Sequence, residues 1–199
     1  MQLTLADDGG IQIDESMHSS VPDVFAAGDC SSLRFSLDFQ SQHSELHPCL
    51  FHPARLWGHA KLLGLYAARA MSGQYDAELS ELGGFNFLLF AHTTTLLGKK
   101  VILLGRFNLQ GFSPDDVRRL KAQKALRTLV RCKPDRREEL IKLHLLHDRI
   151  IGATIIGDAG SETVDLEETF ENLMLNQTNM NEYGDFLNDV QVDLADYFD

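Results

Sequence analysis

Cysteine is scarce in this chain and badly placed for redox work. Cys30, Cys49 and Cys132 are odd in number, and no two of them stand at C-x-x-C or C-x-x-x-x-C spacing. That excludes a visible dithiol pair and argues against structural disulfides. Long apolar runs are missing as well: nothing approaches the roughly 20 uninterrupted apolar residues of a membrane span, so no membrane association is expected. No basic region followed by an apolar one comes after Met1-Gln2-Leu3-Thr4, so no signal peptide is expected either. Together these absences predict a soluble intracellular protein of the cytoplasm and/or nucleus.

Glycine is present 15 times but never as G-x-G-x-x-G. Gly83-Gly84, Gly105 and Gly157-Asp158-Ala159-Gly160 lack the strand, spacing and helix that let a glycine turn hold a pyrophosphate at a helix amino end. Positive charge is the last shortage. From Ile150 onward there are 12 acidic residues and no lysine or arginine, whereas the preceding part is near neutral with 18 basic and 17 acidic side chains. A net charge of −11 disfavours direct nucleic-acid binding, which needs a basic surface. The acidic end nevertheless carries Tyr183, Phe186, Leu187, Val190, Val192, Leu194, Tyr197 and Phe198, too much apolar material for a purely solvated tail. It is expected to dock on the protein's own body or on a protein partner.

What the chain does have begins near its start. The apolar run Val24 to Ala27 predicts a strand covered on both faces, ending at Gly28-Asp29. At the carboxyl end of such a strand, a glycine admits a bulky ligand to the backbone and a carboxylate accepts hydrogen bonds from sugar-like hydroxyls. A plain turn is the simpler reading of Gly-Asp. Upstream, Asp8-Gly9-Gly10 reads as a hairpin turn leading into the alternating Ile11 and Ile13.

Cys30 to His52 reads as a long loop. Its His43, Glu45, His47, Cys49 and His52 are chemically suited to zinc, but their spacing matches no established finger, and no metal site is assigned. Pro53 suits the first turn of a helix whose Leu56, Ala60, Leu63, Ala67 and Met71 share a face. Beyond a polar linker at 73–84, paired strands are expected at 85–92 and 99–107. Ser113-Pro114-Asp115-Asp116 starts a helix made basic by Arg118, Arg119, Lys121, Lys124 and Arg127, a solvated face by default and otherwise a docking surface for an acidic group such as the chain's own end. Residues 140–147 and 150–156 read as a hairpin turning at Asp148-Arg149, with His144 and His147 as ordinary strand residues. Asp165 and Glu168 resemble a capping box for a helix with Leu166, Phe170, Leu173 and Gln177 on its inner face.

The stretch from Asp8 to Asp29 resembles the second FAD-binding motif of the two-dinucleotide-domain flavoprotein reductases. Arg55-Leu56-Trp57, Gly105-Arg106-Phe107-Asn108, residues 152–157, 165–177 and Asp196-Tyr197-Phe198-Asp199 fit the same family, so the likeness runs along nearly the whole chain. It implies an α/β fragment of an FAD/NAD(P)-binding fold at residues 1–72, then a small α+β C-terminal domain at 85–180 and an acidic tail at 181–199. It further implies FAD as cofactor, touched by Gly28, Asp29, Ala54, Arg55 and Trp57, with Asp29 on the ribityl chain and the helix after Pro53 aimed at the pyrimidine side of the flavin. NAD(P)H is implied as co-substrate on a domain that this chain lacks, as is the pyrophosphate site. The chain then reads as the C-terminal part of an FAD-dependent NAD(P)H oxidoreductase, partnered by the missing N-terminal domains and inactive alone, with no catalytic residue of its own. The family's dithiol members use a His-Pro pair near the C-terminus. Here His-Pro occurs only at His47-Pro48 and His52-Pro53, which speaks against classical dithiol chemistry. A different class of reading makes the chain a non-catalytic interaction or dimerisation module.

Overall fold

The computed structural model describes residues 2–34, 54–74, 89–132, 139–158, 161–189, 192 and 194. Two compact units divide the chain: one of Met1–Glu45 with Pro53–Leu88, the other of Leu46–His52 with Leu89–Asp199.

In the first unit the expected hairpin turn is present. Ala6 N–H donates to the Gly10 carbonyl at 2.8 Å, Gly9 N–H to that of Ala6 at 2.9 Å, and Gly9 takes φ +80°. Strand β1 (Ile11–Ile13) follows and pairs in parallel with β2 (Ser31–Leu33), Ile11 opposite Ser31. The start of the expected loop is thus structured, Cys30 in a 3-10 turn and Ser31–Leu33 in a strand. The run 24–27 is not the covered strand that its composition suggests: Val24 is exposed, Phe25 forms a single bridge to His18, and only Ala26 is buried. An apolar run becomes an interior strand only when ladders flank it, and among the described residues none does. Ile13 and Met17, together with Ala26, supply the buried apolar side chains of this part.

Helix α1 spans Trp57–Met71 and so begins later than Pro53 suggests. Leu56 is its extended N-cap (φ −124°, ψ 148°); the residues before the helix are closed instead by Leu56 N–H on the Ala54 carbonyl at 2.8 Å and by the His59 ring on the same oxygen at 3.0 Å. Its buried face is Leu63, Tyr66 and Ala67, while the outer members of the expected stripe, Leu56 and Met71, are exposed. Leu63 and Ala67 of that stripe are buried as expected, and Tyr66 joins them.

The second unit is built on an antiparallel sheet of β3 (Ala91–Leu96), β4 (Lys99–Gly105), β5 (Leu126–Cys132), β6 (Leu140–Leu146) and β7 (Arg149–Gly157), in the order β3-β4-β7-β6-β5. Strand β3 lies later than the expected 85–92, of which 85–88 fall outside the described residues. Leu96 faces Lys99, leaving Leu97-Gly98 as a two-residue turn with φ of +52° and +78°. A leucine in the first of two left-handed positions hides the usual hairpin signature. His147 likewise leaves the strand: Leu146 pairs with Arg149, so His147-Asp148 form the turn, with φ of +49° and +62°.

Both sheet faces are covered, because successive strand residues point to opposite sides and each side carries its own apolar cluster; the register between β6 and β7 shifts at His144/Leu145. Leu143, Leu145, Ile150 and Ile155 join a core with Phe170 and Met174 of helix α3 (Ser161–Leu175). Leu146 and Ile151 face a second cluster with Val117 and Leu120 of helix α2 (Pro114–Ala122). Helix α2 starts as expected, the Ser113 hydroxyl accepting from Asp116 N–H at 3.1 Å. Its arginines are satisfied on the solvent side, Arg118 by Asp115 and Arg119 by Asp116. Helix α3 keeps the expected inner face of Leu166, Phe170 and Leu173 but starts earlier than Asp165, whose carbonyl already accepts from the Thr169 hydroxyl inside the helix.

The chain then folds back as a 3-10 segment, Met180–Asn188, which buries Met180 and Leu187 in the α3 core together with Leu194. Buried Arg131 donates from Nη2 to the Val192 carbonyl and ties this end of the chain to β5. Among the described residues no helix is long and apolar enough to cross a membrane.

Candidate functional site

Gly28 and Asp29 lie in a 3-10 turn, Gly28–Cys30, entered from extended Ala27 and left directly into β2. Gly28 takes φ +78°, a conformation that costs other residues dearly. The Ser31 hydroxyl donates to its carbonyl at 2.8 Å and closes the turn. A Cβ on Gly28 would stand 3.2 Å from the Cβ of Ala60. Two small residues therefore let the Gly-Asp turn rest on the first turn of α1. The long loop between them in sequence does not keep them apart. Asp29 is exposed beside that contact, with its carboxylate available as an acceptor.

The amino end of α1 is chemically unusual. It has no side-chain cap and no acidic residue in its first turn. The first four N–H groups of a helix lack intrahelical partners and carry its positive end, so such a terminus is suited to oxygen acceptors. Ala54 and Arg55 lead into it, and Trp57, a residue 80% exposed, opens it, Lys61 Nζ standing 5.4 Å from the ring centre. Gly28 thus meets α1 at Ala60, with Asp29 next to it in sequence, while Ala54, Arg55 and Trp57 stand at the amino end of the same helix.

Arg55 is already engaged there. Its Nη2 lies 3.4 Å from Asp8 Oδ2. Asp8 also accepts the Ser32 hydroxyl at 2.6 Å on each oxygen and Gly10 N–H at 3.0 Å. The Ser32 hydroxyl, then the Gly10 amide and the Arg55 guanidinium, hold the Asp8 carboxyl below the usual carboxylate range. In the sequence Asp8-Gly9-Gly10 reads as a turn at the head of the flavin-like stretch, with no partner assigned to Asp8. The available signal was a carboxylate at the mouth of a glycine pair, ahead of a strand that must meet a second one.

His43, Glu45, His47, Cys49 and His52 lie outside the described residues. Among those described, no group of three or more His, Cys, Asp or Glu side chains is arranged to hold a metal. In the second unit His144 is buried on β6, its Nδ1 3.0 Å from the Thr128 hydroxyl. Burial first, and then the charge of Lys142, push its pKa down to about 4, against the opposing hydrogen bond to the Phe107 backbone. It is an ordinary core histidine, held neutral.

A family model described as "Pyridine nucleotide-disulphide oxidoreductase" matches residues 1–51. Pyridine nucleotide-disulfide oxidoreductase domain-containing protein 1 of Homo sapiens is 38% identical over 195 residues, 98% of this chain and 33% of that protein. Among solved structures, the covalent putidaredoxin reductase–putidaredoxin complex matches with a TM-score of 0.57 at 17% identity, over 96% of this chain and 36% of the other. An FAD-dependent pyridine nucleotide-disulphide oxidoreductase from Desulfovibrio vulgaris matches with a TM-score of 0.52 at 14% identity, over 98% of this chain and 44% of the other. At such identities the structures establish the fold, that of a part of the FAD- and NAD(P)-binding reductases. The chain is thus a relative, over nearly its whole length, of pyridine nucleotide-disulfide oxidoreductase domain-containing protein 1, and spans about a third of such a protein.

Proposed function

We propose that this chain is the C-terminal part of an FAD-dependent oxidoreductase that takes a hydride from NADH or NADPH and passes electrons to an acceptor. The observation that carries the reading is the contact of Gly28 with Ala60, which sets the exposed Asp29 beside the uncapped start of α1. That donor set suits a flavin: a carboxylate for ribityl hydroxyls and backbone N–H groups for the carbonyl oxygens of the pyrimidine edge. FAD, when bound, supplies the hydride and electron chemistry.

The chain's own residues bind and orient. Asp29 accepts from the ribityl hydroxyls. Gly28 keeps the turn low enough to reach α1. The positive end of α1 favours negative charge at the pyrimidine edge, and Ala54, Arg55 and Trp57 shape the entry to it. None of them moves a proton.

A pair of short parallel strands supports the same reading. Parallel strands belong inside larger covered sheets, and a two-stranded sheet is marginal in water. We accordingly assign residues 1–72 to an FAD-binding domain completed by preceding FAD and NAD(P)H domains, and 85–180 to a C-terminal α+β domain. Met180, Leu187 and Leu194 of the acidic end are taken up by the chain's own core, so only the acidic surface that they leave outside it is assigned to a protein partner. The test is to purify the full-length protein that carries this chain, record its visible absorbance, and follow NADH and NADPH oxidation. Bound flavin reducible by either nucleotide is the expected result; a colourless protein that takes up no FAD would overturn the proposal.

A further inference from the structure

We infer that Asp8 is a positioning residue of the proposed flavin site: pinned by Ser32 and Gly10, its carboxylate holds Arg55 and thereby fixes where helix α1 begins. The inference rests on the flavin reading above and adds a residue that touches no flavin.

Asp8 and Arg55 are 47 positions apart in sequence. The carboxylate is fixed before the arginine reaches it, with the Ser32 hydroxyl on both oxygens and Gly10 N–H on Oδ1. Gly10 is required for this. A Cβ there would run into Ser32 Oγ and stand 3.2 Å from Asp8 Oδ1. Ser32 belongs to β2, which begins immediately after the Asp29 turn, so Asp8 is tied to the same short segment that presents Asp29. At the other end of the link, Arg55 lies two residues before the first residue of α1, in backbone that is not helical.

Two clamps therefore join the parts of the site. Gly28 on Ala60 sets the height of the Asp29 turn over the helix, and Asp8 on Arg55 sets the direction from which the chain enters that helix. Both ends of the ion pair are partly solvated, so it acts by orientation and its effect is modest.

The experiment measures FAD affinity of the full-length protein after flavin removal and reconstitution. Asp8→Asn keeps an oxygen for Ser32 and Gly10 but removes the charge that holds Arg55; Arg55→Gln removes the other partner without touching the turn. Each is expected to weaken FAD binding about two- to fivefold, the range of an exposed ion pair. The double variant is expected to be no weaker than either single one, and Asp8→Glu to recover most of the affinity. The visible circular dichroism of bound flavin should change together in both single variants, a signature that general destabilisation does not give. Unchanged affinity in Asp8→Asn and Arg55→Gln, or losses that multiply in the double variant, would overturn the inference. Asp29→Ala, measured alongside, separates the two levels: if it weakens binding while the Asp8 and Arg55 variants do not, only the positioning role fails; if it too is without effect, the flavin site itself is wrong.

Discussion

Gly152→Ala should destabilise the second unit far more than adding one methyl group usually does. Gly152 faces Gly105 across the β4–β7 pair. After Gly105, at φ +53°, the chain turns over β7, and Arg106 N–H donates to the Ile151 carbonyl at 2.8 Å. A Cβ on Gly152 would meet the backbone carbon and oxygen of Arg106 and stand 2.7 Å from Phe107 N. Because these atoms are backbone, no rotamer change relieves the clash. Overpacking of this kind costs about 1–3 kcal/mol. Lifting residues 106–107 also loosens the Arg106 hydrogen bond, about 1 kcal/mol, and disturbs the backbone that holds His144. A total near 3 kcal/mol corresponds to a fall in Tm of about 12 °C or more for a domain of this size. Calorimetry on the variant and on Gly98→Ala makes the comparison. Gly98 also has positive φ but opens onto empty space, so only the backbone cost, about 1–2 kcal/mol, applies. A Gly152→Ala protein within about 1 kcal/mol of wild type would refute the reasoning.

Stability should also depend on pH through His144. Its folded pKa of about 4 lies below the unfolded value of 6.5, so below pH 6.5 the unfolded chain gains a proton that the folded one refuses. Stability is therefore full above pH 6.5, falls between about 6.5 and 4, and changes no further from this group below that, with a loss on the order of 3 kcal/mol. His144→Gln should flatten that slope in denaturant titrations at several pH values. Leu187→Ala should cost about 2–3 kcal/mol in urea unfolding, since Leu187 is buried in the core against α3; an effect near zero would mean that the acidic end does not dock. The isolated 199-residue chain should bind FAD weakly or not at all by fluorescence titration, because no glycine fingerprint for the pyrophosphate is present.

Local chemistry was legible wherever one residue type imposes one geometry. Ser113-Pro114-Asp115-Asp116 specified both the start and the dipole pairing of α2, and Asp8-Gly9-Gly10 specified a turn. The inner face of α3 followed from Leu166, Phe170 and Leu173, although its start did not: a helix continues through a cap-like residue when packing favours it. What was not legible depended on pairing at a distance. The run 24–27 has strand composition, but ladders decide burial, and composition does not show them. Turns at Leu97-Gly98 and His147-Asp148 use left-handed leucine and histidine, residues that give no warning of it. At the site, Gly28 and Asp29 stood out as a motif. Their meeting with α1 through Ala60, and the link from Asp8 to Arg55, arise from tertiary packing across a stretch that sequence reads only as a loop.

The most direct test of the account is an FAD titration of the full-length protein and its Asp29→Ala variant, stripped of flavin and monitored by flavin fluorescence. Loss of a charged acceptor for ribityl hydroxyls should weaken binding about tenfold or more, about 1.5–3 kcal/mol, and lower NAD(P)H oxidation in step with flavin occupancy. Equal affinity and equal rate in the two proteins would contradict the central claim and leave the chain to be understood as an interaction module.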